Sequence, residues 1–218
     1  MEHLLKADLN RDWLLLMLIG ALLVLGLLRY RFPRRMAELM LLPINDKYFA
    51  LEGRQKGIGH PFNLAMLGVQ ITAFGLLLAA IKMTRSATPE LLNFALFIKG
   101  ILVISLYLIL RYSLDWAVGY IFNCQKILSE YRYQRLSFHH LIALALLFLL
   151  TIMFFSALSF QTLTPVILFG VIFALFTTVI YSVRRNSATL ITNFLYFILY
   201  ICALEIAPYA LLYQAAMA

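Results

Sequence analysis

The sequence predicts an all-α polytopic membrane bundle of about six transmembrane helices, and two properties predict it directly. Hydrophobic residues make up 63% of the 218 positions and charged residues only 13%, whereas soluble domains carry roughly 25% charged. The apolar residues are also gathered into runs long enough to approach or exceed what a ~30 Å hydrocarbon core requires. Lipid is therefore the solvent for most of the chain. Residues 1–218 read as a single integral membrane domain, with no length left for a separate catalytic one.

The first run, 13–28, stops at Arg29, Arg31, Arg34 and Arg35. It is somewhat short for a span, and snorkelling of Arg29 and Arg31 lengthens it. The basic cluster follows with no small-residue cleavage site, so the run reads as a retained helix rather than a signal peptide. Within the polar stretch 29–60, the segment 36–42 is apolar on one side and ends at Pro43, which predicts a short interfacial helix. Gly53, Gly57, Gly59 and Pro61 make the remainder turn-rich.

The second span is 62–81, closed by Lys82 and Arg85, and the third is 91–110, opened by Thr88-Pro89-Glu90. From 111 to 132 there is no Pro and a single Gly, so the third helix is expected to extend into the cytoplasm. Along that extension Asp115, Gly119, Asn123, Lys126 and Glu130 form a polar stripe beside Leu114, Val118, Ile121 and Phe122. Together with Arg34 and Arg35 of the first loop, Asp115, Asn123, Lys126 and Glu130 make an expected cytoplasmic docking surface. From 136 to 183 there is no Asp, Glu, Lys or Arg, enough for two spans, 138–158 and 165–181, with a turn ending at Pro165. The sixth span is 190–213.

The loops after the first, third and fifth spans hold thirteen Lys and Arg, against four on the other side. By the positive-inside rule the thirteen are cytoplasmic, which puts both termini in the periplasm. The net charge of +8 is spent on this orientation and on anionic headgroups, so no nucleic acid is expected as a partner.

Two ionisable residues fall inside spans, Lys99 in the third and Glu205 in the sixth. Each costs roughly 2.5–3.5 kcal/mol at mid-helix on insertion scales. Both lie ~12 Å from the same membrane face at 1.5 Å per residue, which suggests an intramembrane ion pair. That pair serves either as an ion or proton relay or as an interhelical clamp. Pro208, three residues after Glu205, kinks the sixth helix and frees a backbone carbonyl. Gln70, Thr72, Ser105, Thr151, Ser156, Thr177 and Asn193 read as interhelical hydrogen-bond glue.

His60, His139 and His140 fall at cytoplasmic helix ends, but adjacent His139 and His140 point ~100° apart and carry no carboxylate at ligand spacing. No metal and no cofactor are expected. Cys124 and Cys202 read as small buried thiols. No GxSxG, HExxH, phosphate loop or carboxylate pair is present, so no catalytic residue is assigned.

Several segments together resemble a known family. They are Asp12-Trp13, Gly59-His60-Pro61-Phe62-Asn63, Arg111-Tyr112, Phe122-Asn123, Ile127-Leu128-Ser129-Glu130-Tyr131, and the ending 193–209, which contains Leu204-Glu205-Ile206-Ala207-Pro208. In this order they resemble an uncharacterised family of multi-pass inner-membrane proteins from Bacteroidota, a domain of unknown function. The resemblance implies a diderm bacterial inner membrane and brings no catalytic residues with it. A non-enzymatic subunit of a larger membrane complex, in protein export or envelope biogenesis, is the leading expectation, with membrane lipids and other integral membrane proteins as partners. A small ion-coupled transporter using Lys99 and Glu205 and a lipid-modifying enzyme are the alternatives.

Overall fold

A computed structural model describes residues 12–42, 59–85, 94–121, 125–155 and 160–185. Among the described residues there are six helices and no strand. They are α1 (Asp12–Arg31), α2 (Pro33–Met40), α3 (Pro61–Arg85), α4 (Phe94–Ile121), α5 (Gln125–Phe155) and α6 (Phe160–Arg185). All but α2 are long and apolar enough to cross a membrane. The chain is thus an all-helical, multi-pass membrane bundle. The expected span 190–213, with Glu205, Pro208 and Cys202, lies outside the described residues, as do Asn123 and Cys124.

The spanning helices alternate in direction. At one end Trp13, opening α1, packs its ring 5.6 Å from Phe94 and 5.4 Å from Phe97, which open α4. At the same end Thr164 of α6 donates to Met153 Sδ of α5 at 3.8 Å. At the other end one apolar cluster joins Leu28 of α1, Met36 and Leu39 of α2, Phe62 and Met66 of α3, and Tyr133 and Phe138 of α5. Tyr181 of α6 lies against it, its ring 5.1 Å from Phe138. That second end carries Arg29, Arg31, Arg34, Arg111, Arg132 and Arg135.

α3 is the hub, packing on α1, α4, α5 and α6. Over half of its apolar window is buried (56%), against 22% for α1 and α6. The outer helices instead turn Leu16, Leu23, Leu27, Phe169 and Phe173 outward, as side chains solvated by lipid tails must be. α3 and α4 touch through their backbones: a Cβ on Gly100 would stand 2.7 Å from the carbonyl oxygen of Gly75. Small residues at such a crossing let dispersion contacts replace the hydrophobic drive that lipid removes.

Three boundaries differ from the sequence reading, each for a physical reason. The third helix does extend past residue 110, but it stops at Ile121, and the next helix begins at Gln125 rather than near 138. A continuous rod to 132 would leave the polar faces of 111–115 and 132–139 apart, whereas folding back buries them together. The fifth span starts at Phe160 with Pro165 inside the helix. Pro165 lacks the N–H that the Gln161 carbonyl would accept, and the helix tolerates that one missing bond near its start. The short helix expected over 36–42 starts at Pro33, whose fixed φ suits a first helical position. Meanwhile α1, with 20 residues, reaches ~30 Å, a length that includes Arg29 and Arg31 in its last turn.

Candidate functional site

Polar side chains converge where α3, α4 and α5 meet at the arginine-bearing end. α4 supplies Tyr107, Arg111, Tyr112 and Asp115 to a small, partly open cleft. α5 supplies Arg132, Arg135 and His139, and α3 supplies Gln70. The local reason is periodicity. Residues 107, 111 and 115 are successive i,i+4 positions, and 132, 135 and 139 follow an i, i+3, i+7 pattern, so each set shares one helix face.

These groups are out of solvent. Asp115 is 1% exposed, Gln70 3%, Arg111 4% and Arg135 7%. Arg111 donates through Nη1 to the Tyr107 hydroxyl, and its guanidinium carbon stands 5.7 Å from that ring's centroid. His139 donates through Nδ1 to the Arg135 carbonyl at 2.7 Å, which fixes the ring one turn along from Arg135. Among the described residues three guanidiniums and one carboxylate line the cleft, which makes this lining cationic. Its enclosed volume of about 20 Å³ holds about one water or one ligand oxygen.

The expected docking residues separate into different settings. Arg34 is on the surface of α2, its side chain 82% exposed and paired with Glu38 at 3.2 Å. Arg35 is half-buried. Asp115 does not belong to a surface at all: it is enclosed between α4 and α5. Asn123 lies outside the described residues; Lys126 and Glu130 are on α5, their side chains not described. Lys99 is exposed on α4, and its expected partner Glu205 lies outside the described residues, so the pairing is not placed.

The histidines divide as well. His60 accepts from the Phe62 N–H at 3.1 Å through Nδ1, while its carbonyl accepts from Asn63 and Leu64. It caps α3, and Phe32 packs edge-on against its ring at 5.2 Å. His140 is fully buried, with no hydrogen-bond partner on either ring nitrogen among the described residues. No group of three or more His, Cys, Asp or Glu side chains positioned for a metal ion occurs among the described residues. Of the expected interhelical glue, Thr72, Thr151 and Thr177 bond back to carbonyls of their own helices at 2.8–3.0 Å, and Ser156 and Asn193 lie outside the described residues. Such back-bonding satisfies a hydroxyl in lipid without a neighbour.

Arg132, Arg135 and Tyr107 were not visible as site residues from spacing alone, because their convergence depends on where α4 ends. A signal existed in the helix-face periodicity on both sides of the break.

A family model described as Domain of unknown function (DUF4271) matches residues 14–216. The chain belongs to the DUF4271 family. The DUF4271 match begins two residues into α1 and takes in the other spanning helices described and the run 190–213. No curated protein and no solved structure matches the chain.

Proposed function

We propose that this chain is a non-enzymatic subunit of a larger assembly in the inner membrane of a Bacteroidota cell. In this reading both termini are periplasmic, and protein export or envelope biogenesis is the setting. The orientation is supported by the arginines gathered at one end of the bundle, which the positive-inside rule assigns to the cytoplasm. The taxon and setting rest on the resemblance carried by segments such as Gly59-His60-Pro61-Phe62-Asn63 and Leu204-Glu205-Ile206-Ala207-Pro208.

The observation that carries the reading is the placement of α2. Met36 and Leu39 pin it to α3 and α5 through the apolar cluster, so it cannot swing freely. Its outer side, with Arg34 beyond Arg29 and Arg31 of α1, is an exposed basic ledge. Held rigidly at the membrane surface, such a ledge suits an acidic protein partner, because preorganisation removes part of the ordering cost of association.

The tagged chain, extracted from its native membranes in mild detergent, is expected to bring down a fixed set of membrane proteins identified by mass spectrometry. Arg31→Glu with Arg34→Glu, both at exposed positions, is expected to release that set while the chain stays folded. Purification as a lone monomer contradicts the proposal.

A further inference from the structure

We propose that the cleft between α3, α4 and α5 is a binding site for a phosphate oxyanion, supplied by the headgroup of an anionic membrane lipid. The charge on its walls is the first argument. Among the described residues Arg111, Arg132 and Arg135 face it against the single carboxylate of Asp115, leaving a cationic excess in a place largely shielded from water. A guanidinium so placed is stabilised by charge-assisted hydrogen bonds to an oxyanion, which its planar fork matches.

The second argument is that a donor is left waiting. Arg132 lines the cleft from α5 with a buried Nε that has no hydrogen-bond partner among the described residues. Gln70, 3% exposed on α3, adds an Oε1 that likewise has none, an acceptor suited to a headgroup hydroxyl or a bridging water and not to the phosphate oxygen itself. A buried polar atom without a partner costs roughly 1–3 kcal/mol, so native sites supply one from protein, water or ligand.

Position chooses the ligand class. Arg111 follows directly on the apolar run of α4, and Arg135 directly precedes that of α5. The cleft therefore lies at the edge of the hydrocarbon, next to the headgroup layer that holds the lipid phosphates. Its enclosed volume, about 20 Å³, admits an oxygen and leaves the phosphorus and its ester substituents at the mouth. Tyr107 and Tyr112, both half-buried, also line the cleft, with amphipathic rings of the kind found at membrane interfaces.

The test uses the full chain, purified in a neutral detergent and reconstituted in nanodiscs. Retention of phosphatidylglycerol is read by native mass spectrometry against phosphatidylcholine, and thermal stabilisation by inorganic phosphate is read separately in detergent. Arg132→Gln is the main variant, because Arg132 is only half-buried and Gln keeps part of its stem and a polar end; Gln70→Leu is the second, and Arg34→Gln the control. Selective retention of phosphatidylglycerol, reduced on the order of tenfold by Arg132→Gln and unchanged by Arg34→Gln, supports the lipid. Stabilisation by inorganic phosphate that Arg132→Gln removes, without lipid selectivity, supports the site and assigns it to free phosphate. Retention and stabilisation that do not change in Arg132→Gln or Gln70→Leu overturn the proposal.

Discussion

Gly100→Ala is expected to destabilise the folded bundle by about 1–3 kcal/mol, the range for overpacking a close contact. The added Cβ would stand 2.7 Å from the Gly75 carbonyl oxygen and 3.4 Å from its carbonyl carbon and Cα. These are backbone atoms of the hub helix, so no side chain can rotate aside, and α4 must move off α3. Gly75→Ala is milder, since its Cβ meets Ile101 at 3.2 Å from Cγ1 and 3.3 Å from N. Gly20 and Gly170 have nothing within 4 Å. Alanine there is expected to be neutral or slightly stabilising, because alanine is the better helix former by roughly 1 kcal/mol. Thermal unfolding of the four variants in one detergent checks the ranking. Equal midpoints for Gly100→Ala and Gly20→Ala would mean that α3 and α4 do not cross at these glycines.

The second large effect is expected at Asp115. As an exposed neighbour of Arg111 at i,i+4 it would be worth a few tenths of a kcal/mol. Enclosed at 1% exposure beside three guanidiniums, it has a different weight. Asp115→Asn removes the only carboxylate that lines the cleft among the described residues and leaves like charges facing one another out of water. Breaking such an arrangement costs about 3–5 kcal/mol. Adding Arg111→Gln is expected to recover part of that loss, since the second change removes a charge the first left uncompensated. Protease resistance in membranes and thermal midpoints in detergent read both variants. A double variant whose loss is the sum of the two single losses would show that Asp115 and Arg111 act independently.

Much of the fold is legible in the sequence because lipid leaves the chain few options. Runs of apolar residues must become helices, since no other single segment satisfies its own backbone there. The spans 62–81 and 165–181 fall inside α3 and α6 for that reason. The end of α4 is harder. From 111 to 132 the local signals favour a helix throughout, and only Gly119 and Asn123 weaken it. What decides the break is tertiary: α5 returns along α4 and encloses Arg111 and Asp115 with Arg132, Arg135 and His139. The candidate site inherits that difficulty. Asp115 and Arg111 stand out as a pair in the sequence, but their depth is set by α5. The role of His60 was hidden differently, because a capping histidine and a ligand histidine look alike until the Phe62 N–H is seen bonded to its ring. The crossing at Gly75 and Gly100 leaves only two isolated glycines as its trace, since the contact is made by what is missing from them.

The return of α5 along α4 is the claim from which the cleft, the buried aspartate and the oxyanion site all follow. Leu108 and Leu136 line the same cleft, whereas one continuous helix would hold positions 108 and 136 ~42 Å apart. Cysteines placed at these two positions, with Cys124 and Cys202 replaced, are to be treated in native membranes with a short bismaleimide. The folded-back arrangement predicts an intramolecular cross-link, seen as a single chain that stays joined after cleavage between 121 and 125. Two separate fragments from chains shown to carry reagent at both cysteines would contradict it.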